Sequence, residues 1–534
     1  MVCELMTTAW DDQELPFVAA RVNNDVVSLS YPLTVNSTII FITAANPHGW
    51  HVYRRSLSFL LAKAIYDIYP RAEFSVGHSM GPGLFCNFAL DGIQGIDTAA
   101  LESIAAHMRK LVEQDHIIER RKIGFLDAVR EFEACGMVEK QNLLQYRNPP
   151  RVVVHWCDGF CNLAHGPLAP STGYLKYFEL IPYPPGFVLQ LPEQTAPTRI
   201  PPFEDQPHLF QIFQEHKNWG RILGVTTVGK LNQITYEGKV TRFIRTAEAL
   251  HEKKLGRIAD IITQRKPAVK VILIAGPSSA GKTTFANRLS THLRVNGLKP
   301  ITLGTDNYFV GKDRNPLDAD GKPDYEHIEA VDLPAFNKDL LDLIEGRSIR
   351  KRTFNFEKKN PVISEKTIQL HDDQILIIEG IHGLNPRLTE MIPPERKFKI
   401  YISALTQLNI DSNNRIPTTD NRLIRRMVRD HQFRGHSPLE TLRMWSMVRR
   451  GEERWVFPFQ KEADATFNSA LDYELAVLKP FVEPLLMQVK PSHLEYAESR
   501  RLTGFLLNFL PISEKLVPQD SILREYIGGS TLQY

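Results

Sequence analysis

The spacing of apolar and polar residues changes several times along this chain, and each change predicts an element. Two short apolar runs between Phe17 and Val27 flank Asn23-Asn24, the pattern of a β-hairpin. Arg55 to Ile65 reads as a helix that ends near Pro70. Between Asp205 and Lys266 the pattern is largely helical, with Phe243, Ala247, Leu250, Leu255, Ile258, Ile261 and Ile262 forming one stripe. Val271-Ile272-Leu273-Ile274-Ala275 is an unbroken apolar run and predicts a buried strand. Phe285, Leu289 and Leu293, four apart, then predict a helix that stops at Asn296-Gly297. Further strands are predicted at Ile301-Thr302-Leu303, at Ile375 to Ile378 and at Phe398 to Ile402, and the segment from Trp445 to Leu475 is expected to finish the sheet and lie near the adenine side. Strands alternating with helices in the second half predict an α/β fold with a mostly parallel, doubly wound sheet. The first half reads as α+β.

Composition adds limits. The 534 residues are 43% hydrophobic and 23% charged, with a formal charge of +3, so no global attraction to nucleic acid or membrane follows. The length predicts two to four domains. No apolar run approaches a membrane span, and the five cysteines, an odd and sparse set, suggest a reducing compartment; a cytoplasmic protein is expected. Seven prolines between Ile181 and Pro202 predict an extended, semi-rigid boundary between the two halves.

The chemistry begins directly after the Val271–Ala275 run. Gly276-Pro277-Ser278-Ser279-Ala280-Gly281-Lys282-Thr283 matches G-x-x-x-x-G-K-[ST], the P-loop, and lies between a strand and a helix as that loop must. Its backbone N–H groups would surround phosphate oxygens at a helix N-terminus. Residues 276 to 283, with Thr284, are the expected ATP contacts; Lys282 would reach the β/γ-phosphates and the Thr283 hydroxyl would ligate Mg²⁺. In doubly wound sheets ligands bind outside the carboxyl ends of the strands. Asp306 follows one predicted strand and suits a general base for a hydroxyl nucleophile. Glu379 ends another and suits the magnesium.

Arg422, Arg425, Arg426 and Arg429 fall at offsets 0, 3, 4 and 7, one stripe on a helix, with Arg434 just beyond. Like charges four apart cost an isolated helix about 0.2–0.5 kcal/mol per pair. A polyanion facing the stripe would reverse that cost, which suggests a lid closing over ATP. A solvated basic face offset by Asp420 and Asp430 is the plainer alternative.

These residues resemble the uridine kinase/phosphoribulokinase family from about Val271 to about Asp464. The resemblance rests on the P-loop, Thr305-Asp306-Asn307-Tyr308-Phe309, Tyr325-Glu326-His327, Ile378-Glu379-Gly380 and the run Asp420 to Asp430. It implies an ATP- and Mg²⁺-dependent kinase that phosphorylates the 5′-hydroxyl of a ribonucleoside, uridine- or cytidine-like, as in pyrimidine salvage. Asp306 would be the base, Glu326, Phe354 and Arg422 would contact substrate, and Arg425, Arg426, Arg429 and Arg434 would serve lid and phosphate. The chain departs from the family where Glu326 stands for an aspartate, Phe354 for a tyrosine, and Lys358 or Lys359 for a base-reading histidine. A phosphoribulokinase-like sugar-phosphate kinase and a tRNA-associated ATP-binding protein remain open.

The first half resembles two other modules. Phe17 to Val27 is similar to the later part of a TGS domain. From about Pro47 to about Leu180, including Gly166-Pro167-Leu168-Ala169-Pro170-Ser171-Thr172-Gly173-Tyr174, it resembles the editing domain of threonyl-tRNA synthetase. That family's four metal-ligand positions fall on Arg55, Phe59, Ala164 and Leu168, none of which supplies a suitable donor. No zinc and no editing hydrolysis are expected. The module could contact a nucleoside or tRNA weakly, and a homo-oligomer is compatible with the sequence. The domains implied are 1–46 (truncated TGS-like), 47–180 (editing-like), 181–265 (Pro-rich linker and helices), 266–480 (kinase) and 481–534 (helical extension).

Overall fold

The computed structural model describes residues 1–8, 15–147, 149–318, 321, 323–355 and 360–532. They form two compact units. One comprises Met1–Val240, Gln407–Pro417 and Glu483–Ile512; the other comprises Thr241–Thr406, Thr418–Val482 and Ser513–Tyr534. Residues 407–417 lie inside the stretch read as kinase and 483–512 inside the expected terminal extension, yet both belong to the first unit.

In the first unit, strands Phe17–Val22 and Asp25–Val27 pair as an antiparallel hairpin, extended by Ile39–Thr43. Its turn places Asn23 and Asn24 at φ +48° and +61°, the left-handed region that asparagine tolerates better than most residues. Helix Pro47–Ile68 starts with the Asn46 side chain accepting from the His48 N–H and with proline in its first turn. It buries Leu57, Leu60, Leu61 and Ala64 in a core shared with Ile104 and Met108 of helix Thr98–Gln114.

The proline-rich segment is only partly the extended boundary expected of it. Glu179–Tyr183 is an edge strand, antiparallel to Gly186–Gln190, in the sheet that includes Gly83–Leu90 and Glu73–Met80. Pro182 is tolerated because an edge strand leaves one row of backbone groups unpaired. The helical reading beyond it is met by Pro207–Leu223, Val228–Tyr236 and Val240–Gln264.

The second unit is built on a five-stranded sheet in which every pairing is parallel. Its order is Lys299–Gly304, Gln374–Glu379, Val271–Ala275, Lys397–Ser403, Ala465–Asn468. Val271–Ala275 is central and buried at every residue, which is why the sequence shows no polar alternation there. Helix Lys282–Val295 follows and ends at Asn296, with Gly297 at φ +83°. The carboxyl ends of the strands therefore deliver the P-loop, Thr305-Asp306 and Glu379 to one edge of the sheet.

Candidate functional site

Two glycines let the site assemble. A Cβ on Gly276 would collide with the Ile402 carbonyl of the adjacent strand. A Cβ on Gly380 would stand 2.9 Å from the Thr305 Cβ, so only glycine lets the segment after Glu379 pass against the Thr305-Asp306 turn. The P-loop turns through Ser279 and Gly281 at φ +58° and +81°, a left-handed pair of the kind that aims backbone N–H groups at an anion.

Lys282 Nζ donates to the carbonyls of Gly276 at 2.9 Å and Pro277 at 3.3 Å. Burial lowers its ammonium below the usual lysine range, against the pull of Glu379, Glu525, Asp306 and Glu326. The Thr283 hydroxyl lies 3.0 and 3.2 Å from the two carboxylate oxygens of Glu379. Burial raises Glu379 to about 7 despite Lys282 and Thr283. A desolvated carboxylate beside a hydroxyl, with further carboxylates near it, is a donor set that gains by taking up a hard cation. Mg²⁺ uses such a set together with nucleotide phosphates and water, so the residues fit that ion.

Asp306 is exposed, yet the protein crowded around it raises its carboxyl, against Lys282 and Arg434. Burial and the neighbouring Glu452 raise Glu326 to about 7, while Arg426 and Lys282 oppose this. Glu326 passes directly over Gly451 of helix Pro438–Trp455. Phe354 meets Phe309 edge-on at 5.6 Å, and Phe309 lies 6.0 Å from Tyr325, giving one aromatic wall. Lys358 and Lys359 lie outside the described residues.

The arginine stripe, on helix Thr418–Arg434, divides in two. Arg422 is 1% exposed; its Nε donates to the Ser278 carbonyl at 2.9 Å and its Nη2 pairs with Glu452, which also accepts from the Ser278 N–H. Arg425 is fully buried on Glu474, the Ser469 hydroxyl and carbonyl, and the Ser279 carbonyl. Both are bonded to P-loop carbonyls and to buried carboxylates. The expectation of Arg422 as a substrate contact and Arg425 as a lid group is corrected: both hold the P-loop from behind. Arg426 donates to the Ser278 hydroxyl at 2.7 Å and pairs with Asp430. Arg429 and Arg434 pair with the same buried Asp430. The like-charge cost of the stripe is thus met by internal carboxylates rather than by a polyanion alone. Three guanidiniums on one carboxylate still leave an excess of positive charge.

Four groups at the site escaped the sequence reading. Glu452 and Glu474 are the partners of the buried arginines. Thr284 Oγ1 donates to Glu525 at 2.7 Å, and the Tyr526 hydroxyl donates to the Ser279 carbonyl at 3.0 Å. The C-terminal segment, expected only as a helical extension, therefore packs against the P-loop and its helix. Glu452 had a faint signal beside Arg449, Arg450 and Gly451; Glu525 and Tyr526 had none, because their contact spans more than 240 residues.

With this geometry in place the relatives are informative. Residues 271–476 match the phosphoribulokinase/uridine kinase family. The matched stretch holds the P-loop, Asp306, Glu379 and the arginine helix, and is under half of the chain. The N-terminal region is homologous to threonine–tRNA ligases. The ligase of Geobacter sp. (strain M21) is 29% identical over 163 residues, 30% of this chain and 25% of that protein. That of Syntrophotalea carbinolica is 31% identical over 164 residues, 30% of this chain and 26% of that protein. The chain thus spans about a quarter of the length of these curated relatives. Among solved structures, a possible uridine kinase from Bacillus stearothermophilus is similar over 40% of this chain and 98% of its own, with 19% identity and a TM-score of 0.28. D-glycerate 3-kinase from Cryptococcus neoformans covers 47% of this chain and 87% of its own, with 12% identity and a TM-score of 0.20.

In the first unit, Phe59 and Leu168 are buried in the apolar core, while Arg55 and Ala164 line a cavity. Among the described residues no helix is long and apolar enough to cross a membrane.

Proposed function

We propose that this protein is an ATP-dependent kinase that phosphorylates the 5′-hydroxyl of a ribonucleoside. The observation that carries this reading is placement: parallel strands bring the P-loop, Thr305-Asp306 and Glu379 to one edge of the sheet, and Glu326 feels both Lys282 and Asp306. Lys282 and the N–H groups of the loop hold the β/γ-phosphates. Asp306 accepts the hydroxyl proton as the alcohol oxygen attacks the γ-phosphorus and ADP departs. Glu326 accepts hydrogen bonds from the sugar hydroxyls, and the wall of Phe309, Tyr325 and Phe354 takes the base. Arg426, Arg429 and Arg434 face the charge that develops on the migrating phosphoryl group. Magnesium, held through Thr283 and Glu379 when nucleotide binds, neutralises phosphate charge.

A panel of nucleosides, pentoses and pentose phosphates, assayed for ADP release, tests the reading. Turnover confined to pentose phosphates would favour a sugar-phosphate kinase instead. The surplus charge around Asp430 supports that second reading, because it could hold an acceptor's own phosphate.

For the first unit, Arg55, Phe59, Ala164 and Leu168 in place of metal ligands support a module without metal-dependent hydrolysis. The matched quarter of the threonine–tRNA ligases supports at most a binding role.

A further inference from the structure

The cavity in the first unit has a volume of about 320 Å³ and is lined by five arginines, Arg55, Arg147, Arg151, Arg500 and Arg501. That is within the range of small-molecule sites, about 300–1,000 Å³. The acids around it are fewer. Asp25 lines the cavity beside Arg500, and Glu498 is taken up by a two-pronged ion pair with Arg501 at 2.6 and 2.8 Å. Among the described residues that line the cavity, five guanidiniums stand against one carboxylate, Asp25, which leaves a concave, partly desolvated site with surplus positive charge. Such a site attracts an anion.

Arg55 is fixed for that task. Its Nη1 donates to the Pro167 carbonyl at 2.8 Å. Its guanidinium lies flat on Gly166, where a Cβ would come within 2.6 to 2.9 Å of Nη1, Cζ and Nη2. A planar guanidinium held this way has a fixed orientation in the cavity wall. Arg147 gives an independent sign. Its bonded partner is the neutral Asn508 amide, at 3.0 Å. Burial depresses its guanidinium below the usual arginine range with no acid opposing the shift. A half-buried cation in that state gains by meeting an anion. Val152, Leu163 and Phe505 line the same cavity and supply its apolar surface.

We propose that this cavity is a second ligand site, separate from the kinase cleft, for a small organic phosphate. The phosphate lies against Arg55, Arg147 and Arg151, and the carbon frame of the ligand lies on Val152, Leu163 and Phe505. The proposal does not depend on the acceptor assigned to the kinase.

The test is calorimetric titration of the full chain with its kinase cleft presaturated by Mg²⁺, a non-hydrolysable ATP analogue and uridine. The titrants are ribose 5-phosphate, UMP, AMP, inorganic phosphate, ribose and a short RNA ending in CCA. At least one organic phosphate is expected to bind one-to-one, at least tenfold more tightly than ribose and with an affinity that falls as salt rises. Arg147→Gln and Arg151→Gln should each weaken it at least tenfold. Arg151 is exposed, so its variant keeps the test valid if loss of Arg147 impairs folding. The proposal is overturned if none of the phosphates binds, if ribose binds as well as ribose 5-phosphate, if neither substitution matters, or if only the RNA binds.

Discussion

The Thr283 hydroxyl lies 3.0 Å from one oxygen of Glu379 and 3.2 Å from the other, so the side chains expected to share a magnesium ion already face each other. Replacing Glu379 by glutamine keeps the shape and removes the charge. The magnesium concentration for half-maximal activity should rise about 10–100-fold. The melting temperature without nucleotide should rise as well, because a desolvated carboxylate has gone. Activity measured across a magnesium series, with calorimetry on the same protein, checks both.

Asp306→Asn should lower kcat about 10²–10⁴-fold, the usual share of a positioned base. KM for ATP should stay within about threefold, since Asp306 follows strand Lys299–Gly304 and is not part of the loop that holds the phosphates. Near-normal turnover of the variant would remove Asp306 from the mechanism.

Gly451→Ala tests how substrate is held. The new Cβ would stand 2.6 Å from the Glu326 Cβ and 2.9 Å from its Cγ, so Glu326 must shift. A displacement of about 1 Å in a positioning group can cost on the order of 100-fold. KM for the acceptor should rise at least about tenfold while KM for ATP hardly moves. Equal changes in both would mean that Glu326 does not contact the acceptor.

Stability should fall as pH rises through neutrality. Glu326 and Glu379 are both raised to about 7 from an ordinary 4.5, so between these values the folded state binds more protons than the unfolded state. Stability contributed by the protonated forms is then lost progressively from about pH 4.5 to about pH 7, on the order of 1–3 kcal/mol per group. Melting curves of the nucleotide-free protein from pH 5 to 8 should show this fall. It should be smaller in Glu326→Gln and Glu379→Gln.

Two arginines of one helix should respond in opposite ways. Arg425→Gln leaves Glu474 buried without its cation and should destabilise the fold by about 3–5 kcal/mol. Arg434 is half exposed and pairs loosely with Asp430 at 3.7 Å. Arg434→Gln should leave the melting temperature nearly unchanged and lower kcat about tenfold. Denaturation and steady-state kinetics on both variants separate bracing from catalysis.

The contrast between these arginines marks the limit of sequence reading. Their spacing placed them on one helical face, and that much follows from 3.6 residues per turn. Which of them meet carboxylates depends on Glu452 and Glu474, whose positions are set by other elements. The Gly380 contact with Thr305 is of the same kind, since a glycine's function is visible only once its neighbour is known. The proline run misled for a local reason: proline predicts extended chain and does not say whether that chain joins a sheet edge.

The sequence by itself determined the parallel sheet, the P-loop and the acidic residues at the carboxyl ends of two other strands. Those signals are local, written in unbroken apolar runs and in spacings of a few residues. Only the tertiary structure decided that the C-terminal segment touches the P-loop, that two stripe arginines are buried, and that five arginines from distant stretches of the first unit share one cavity. Contacts between residues far apart in the chain leave no periodic trace, because they are fixed by packing and charge balance after the elements have formed.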